Sequence, residues 1–136
     1  YTHKRIAICV DFSEMDRKAI SHALAQGGAK AEYPLIHVVE SAGAIMLQGD
    51  IKDYETEHDR AGLQLYADEL RGQGYSNTMV LGYGNPKKVI PELTSQFNAD
   101  LLVLGAHGHR GISDLIFGTT INAVRHRVNI PILVVK

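Results

Sequence analysis

The chain has 136 residues, 45% of them hydrophobic and 21% charged, with a formal net charge of −1 at pH 7. That length fits one domain rather than two and buries a sufficient core without metals or disulfides. The balanced charge excludes a global basic field that would gather nucleic acid or an anionic membrane surface, and a single cysteine, Cys9, excludes an intrachain disulfide.

Lys4 to Val10 is predicted as a first strand, and Cys9 within its apolar run Ile6-Ala7-Ile8-Cys9-Val10 is read as a small buried hydrophobe rather than a reactive thiol. A helix from Ser13 to about Ala25 places Met15, Ala19, Ala23 and Leu24 on one face, with Ser13 as its N-cap, Glu14 and Asp16 in the first turn, and Gly27-Gly28 as its stop. Tyr33 to Val39 is a second strand, centred on Leu35-Ile36-His37-Val38-Val39. Glu40 to Asp53 is weakly patterned and reads as a loop with at most a turn of helix. Tyr54 to Arg71 is a long helix with Leu63, Tyr66, Ala67 and Leu70 facing inward, ended by Gly72 and Gly74. Ser76 to Leu81 is a third strand. Asn85-Pro86 opens a third helix: asparagine caps, and proline fits the first helical position, where its missing N–H has no partner. Ile90, Leu93 and Phe97 follow at helical spacing, Leu101 to Leu104 is a fourth strand, Phe117, Ile121, Val124 and Val128 mark a fourth helix, and Ile130 to Val135 is a fifth strand.

Alternating strands and helices, with near-continuous apolar strands, predict an α/β fold: a doubly wound parallel sheet with helices on both faces, Rossmann-like in plan. No segment is long and apolar enough to span a membrane, so direct membrane insertion is not expected and the expected location is the cytoplasm. The chain opens on Tyr1 and closes directly after its last strand. A domain cut from a longer chain, such as one fused to a transporter or kinase, has the same layout. The expectation is a single domain over residues 1–136.

Ligands of open α/β sheets sit outside the carboxyl ends of the strands, at the reversal of strand order. The positions to read are therefore Asp11 after the first strand, Val39-Glu40 after the second, Gly82 to Pro86 after the third and Gly105 onward after the fourth. The last segment is the most informative: Gly105-Ala106-His107-Gly108, then nine residues, then Gly118-Thr119. Glycines let a backbone approach a ligand closely, and a turn rich in them can aim several N–H groups at one anion. Phosphates are then held by backbone amides, the Thr119 hydroxyl and a positive helix end. The segment is neither a Walker A loop nor a dinucleotide G-x-G-x-x-G.

Here the chain resembles the ATP-binding members of the universal stress protein family, over nearly its whole length. Their G-x-x-G, nine residues, G-[ST] spacing is matched at Gly105, Gly108, Gly118 and Thr119. Ile8-Cys9-Val10-Asp11-Phe12-Ser13 is similar to the family's first-strand signature, Leu35-Ile36-His37-Val38 to its second, Gly84-Asn85-Pro86 to its G-x-P turn, and Ile130 to Val135 to its final strand. The resemblance implies strand order 3-2-1-4-5 and a homodimer formed along the fifth strand, Ile130 to Val135. It also implies that Asp11 accepts from the adenine amino group, that the Val38 backbone holds the other adenine edge, and that Gly105, Gly108, Gly118 and Thr119 surround ribose and phosphates. From its own position, Asp11 serves equally well as a local turn or cap bond to the first helix.

In the glycine loop, His107 and His109 are expected to face solvent or line the nucleotide pocket rather than bind zinc. Mg²⁺ bridging the phosphates is the expected ion, reached through water by Asp11 or Asp114. Asp114 sits unfavourably near a triphosphate unless that ion or Arg110 offsets it. Arg125-His126-Arg127 reads as cations complementing a helix C-terminus, and nucleic acid is not an expected partner. The functional expectation is an ATP-binding stress-response regulator with slow hydrolysis at most, since no general base or attacking-water partner stands out. ATP, ADP and AMP are not separated by the sequence. Two alternatives stay open: a slow ATPase or autophosphorylating protein, with Ser113, Thr119 or Thr120 near the terminal phosphate, and a nucleotide-free dimerisation or regulatory domain fused to another protein such as a transporter.

Overall fold

The computed structural model describes residues 3–39, 54–105 and 113–136. Its elements run β1 (Ile6–Cys9), α1 (Met15–Gly27), a short 3₁₀ turn (Gly28–Lys30), β2 (Glu32–Val39), α2 (Tyr54–Gly72), β3 (Ser76–Tyr83), α3 (Pro86–Gln96), β4 (Leu101–Gly105), α4 (Ser113–Arg127) and β5 (Ile132–Val135). All four strand pairings are parallel, in the order β3-β2-β1-β4-β5. Ile8 faces Leu35 on one side and Val103 on the other. The doubly wound sheet and its order agree with expectation.

The period-2 alternation of the strands divides the core in two. Ile6, Ile8, Tyr33, Leu35, Leu101 and Val103 point to the face covered by α1 and α2, where they meet Ala19, Ala23, Leu63, Ala67 and Leu70. Ala7, Ile36, Val80, Leu102 and Leu104 point to the face covered by α3 and α4, where they meet Ile90 and Val124. Central strands buried on both faces are why these segments read as unbroken apolar runs.

Element ends differ from the sequence reading for local reasons. β5 begins at Ile132 rather than Ile130, since Pro131 has no N–H and contributes only its carbonyl, which accepts from Leu102. β1 is shorter than Lys4 to Val10, with only a bridge at Arg5 to Glu32. β3 runs on to Tyr83, paired with Val39. α1 starts at Met15, and its N-cap position is Glu14, which makes no side-chain cap bond. Ser13 instead accepts the Met15 N–H on its hydroxyl at 3.2 Å and the Asp16 N–H on its carbonyl. Asn85 caps α3 as expected, accepting the Lys87 N–H at 3.0 Å, with Pro86 at the first helical position. Among the described residues, no helix is long and apolar enough to cross a membrane.

Candidate functional site

Strand order reverses between β1 and β4, so the crevice at their carboxyl ends is the position where such sheets take ligands. Asp11 stands at the end of β1, half-buried. Its Oδ1 accepts the Ser13 N–H at 3.0 Å. The turn bond foreseen as one of its two roles is therefore present. Among the described residues Oδ2 takes no bond, so one oxygen stays able to accept an exocyclic amine. Val38 is half-buried on β2, opposite Gly82 of β3. Gly105 closes β4, and a Cβ there would lie 3.2 Å from the Met15 Cβ, so its bareness lets α1 pass close to the strand end.

Gly118 and Thr119 fall in the second turn of α4 rather than at its first residue, and Thr120 beside them is buried. His107, Gly108 and His109, Arg110 and the Glu40 to Asp53 segment lie outside the described residues. Cys9 packs at the edge of the second apolar cluster, and burial, with Asp16 and Asp11 close by, pushes its thiol far above the usual range. That is the behaviour of a small apolar residue, not of a nucleophile. Among the described residues, no group of three His, Cys, Asp or Glu side chains could hold a metal ion. Arg125, His126 and Arg127 occupy the last turn of α4, where they complement its dipole.

A polar network beneath the β1 end was not foreseen. Asp16, read as an acid in the first turn of α1, is 3% exposed. It turns back towards the strand: the Asp11 N–H donates to its Oδ1 at 3.1 Å, and the Phe12 N–H and Tyr66 Oη–H donate to its Oδ2 at 2.7 and 2.9 Å. Burial outweighs these donors and lifts its carboxyl to about 7. Phe12 has φ +63°, a left-handed conformation rare for a bulky residue. Its ring lies against Gly62 of α2, where a Cβ would come within 2.9 Å of it, and against the rings of His37 and Tyr66, with centroids 4.4 and 6.2 Å away. His37 is buried in β2, its Nδ1 2.9 Å from the Val10 carbonyl and its Nε2 2.9 Å from Asp59 Oδ2 on α2. Since a carbonyl only accepts, Nδ1 carries a proton. Two signals were available in the sequence. Ser13 and Asp16 have capping-box spacing, and His37 is the one polar side chain in the run Leu35 to Val39.

A five-stranded parallel sheet in this order, with an acid at the β1 end and a glycine closing β4, defines a doubly wound α/β protein, a class whose ligands sit at the carboxyl ends of the strands. The chain belongs to the universal stress protein family, whose family model matches residues 2–136. It is 25% identical over 154 aligned positions to the universal stress protein MJ0577 of Methanocaldococcus jannaschii, an alignment covering 98% of this chain and 95% of that one. The solved structure of MJ0577 matches with a TM-score of 0.83 over 100% of this chain and 97% of the other, at 25% identity. Two further solved structures share the fold. The universal stress protein from Archaeoglobus fulgidus in complex with dAMP has a TM-score of 0.72 at 17% identity over 100% of both chains. A universal stress protein in complex with cAMP has a TM-score of 0.71 at 20% identity, over 100% of this chain and 98% of the other.

Proposed function

We propose that this chain is an ATP-binding regulatory module of the stress-response type, acting as a nucleotide-dependent homodimer. The observation that carries the reading is the spacing Gly105, Gly108, nine residues, Gly118-Thr119, which begins where β4 ends at the reversal of strand order. The adenine nucleotides bound by two fold relatives support it, as does Asp11 Oδ2, which takes no bond among the described residues. In this reading Asp11 and the Val38 backbone take the adenine. Gly105, His107, Gly108, His109, Gly118, Thr119 and Thr120 surround ribose and phosphates, with Mg²⁺ between the phosphate oxygens. The β5 edge, Ile130 to Val135, pairs with a second copy, and the protein works in the cytoplasm. Binding rather than turnover is the activity.

The test is calorimetric titration of ATP with Mg²⁺ into the parent, Gly118→Val and Thr119→Ala, after a denatured sample has been checked for carried nucleotide. Binding by the parent, and its loss or weakening in variants with unchanged circular dichroism, is the expected result. A parent that neither binds nor carries nucleotide overturns the reading. Steady-state hydrolysis well above background, abolished by a pocket substitution, overturns the non-enzymatic part of it.

A further inference from the structure

The β1–α1 turn is held more tightly than connecting two elements requires. Phe12 sits in a left-handed conformation that costs free energy for an aromatic residue. Two consecutive amides, those of Asp11 and Phe12, are aimed at one buried carboxylate, and a tyrosine hydroxyl from another helix joins them. The Phe12 ring is fitted over Gly62 and wedged between His37 and Tyr66. The Val10 carbonyl, one residue before Asp11, is pinned by His37, itself anchored to Asp59. All these contacts fix the backbone on either side of the Asp11 side chain.

We propose that Asp16 is the positioning residue of the nucleotide site: its carboxylate holds the turn that aims Asp11 at the base, and protonation of that carboxylate loosens the turn and weakens binding. This rests on the nucleotide reading above. The chemistry is one of acceptor capacity. A carboxylate offers both oxygens to three donors. A carboxylic acid keeps one good acceptor and adds an O–H; the Tyr66 hydroxyl can reverse its bond to take that proton, but the amide N–H groups of Asp11 and Phe12 can only donate. A proton on Oδ2 thus displaces the Phe12 bond first. Nucleotide affinity therefore falls as pH falls.

The groups facing Asp16 from its neighbours are few. Asp11 and Cys9 lie on the β1 side; Asp11 interacts unfavourably with a charge on Asp16, while the Cys9 thiol is held neutral by burial and by the two acids. Tyr66 comes from α2. Arg17, next on α1, is turned outward over the Tyr66 ring and paired with Glu69 of α2. The His37–Asp59 pair lies behind Phe12, without direct contact to the carboxylate. Among the described residues no cation makes an ion pair or hydrogen bond with Asp16, although Arg17 lies close enough to feel its charge, and burial lifts the Asp16 carboxyl to about 7, within the range cells visit.

The test measures the affinity of the full chain for adenosine, which has no phosphate to titrate, and for ATP with Mg²⁺, from pH 5.5 to 8.5, in the parent, Asp16→Asn and Tyr66→Phe. Loss of a charge-assisted hydrogen bond predicts about tenfold weaker adenosine binding at the acid end in the parent. Asp16→Asn, the neutral counterpart, binds at that weak level at every pH. Tyr66→Phe removes a donor that favours the charged form and moves the midpoint to higher pH. A merely structural role moves none of these midpoints. Asp16→Asn with the parent's affinity and pH profile overturns the proposal, and so does a parent profile flat in pH. If the parent binds neither ligand even at pH 8.5, the nucleotide reading itself fails and this proposal goes with it.

Discussion

Burying Asp16 has a consequence for stability that runs opposite to its proposed role in binding. In the unfolded chain the carboxyl releases its proton near its ordinary value of 3.8, whereas in the folded chain it holds the proton up to about 7. Between those values the folded state binds more protons than the unfolded, so stability falls as pH rises. The contribution is fully present below about 4 and lost as pH rises through about 7. Each pH unit of that window is worth about 1.4 kcal/mol, giving ~4 kcal/mol at most, a large part of the 5–15 kcal/mol typical of a domain. Asp16→Asn removes the titration while keeping one amide acceptor. Urea unfolding of parent and variant at several pH values from 4.5 to 8.5 isolates this group as the difference between the two curves. The variant is expected to gain on the parent as pH rises and to be the more stable of the two at pH 8.5. A difference constant across the range would show that the carboxylate ionises at no cost, and would refute the argument from burial.

Two further substitutions test the frame around the site. Asp59→Leu leaves the buried Nε2 of His37 without its partner and is expected to cost about 3 kcal/mol by urea unfolding, with Asp59→Asn costing less because an amide still bonds the ring. Gly27→Ala places a Cβ within 2.6 Å of the Ala31 Cβ and the Ile6 Cδ1 and 2.8 Å of the Tyr33 hydroxyl, where the Ala31 Cβ is too short a side chain to turn aside. It is expected to lower stability by about 1–3 kcal/mol, and an unchanged midpoint would mean that this corner repacks freely.

The sheet and its helices were legible because the physics behind them is local and repetitive; the strand order came only from the family resemblance. Strands buried on both faces must be apolar at every position, and helices lying on them must be apolar every third or fourth residue, so Leu101 to Leu104 and Leu63, Ala67 and Leu70 announce themselves. Chain ends of elements were less legible, because single residues decide them, as Pro131 does for β5. The network at Asp16 was least legible. An acid in the first turn of a helix is favourable for its charge alone, so nothing in its spacing says that this one faces inward. Its capping-box spacing from Ser13 would return it to the Ser13 amide. In the fold Asp11 already accepts that amide, and Asp16 takes the two before it. Which acid takes which amide depends on Phe12 turning left-handed, and that in turn depends on the bare Gly62 of a helix fifty residues away in sequence.

The distribution of cost across the sheet bears on function independently of any motif. At the amino ends of the strands, the polar contacts are exposed: the backbone N–H groups of Lys4 and Arg5 donate to Asp100, and Arg5 pairs with Glu32. Such contacts contribute little and strain nothing. At the carboxyl ends of β1 and β2 lie Ser13, Asp16, His37 and Asp59, four of the six described polar residues that are buried. There too is Phe12, in its left-handed turn. A sheet needs none of this to fold, and apolar residues would cover the same strands with less desolvation. A cost concentrated at one end, around one turn, is what a backbone held for a ligand requires, and it falls at the end where the order of this sheet reverses. The glycine spacing is the argument for the phosphate half of the proposed site, and the buried carboxylate with its neighbours is a second argument, from energetics, for the other half.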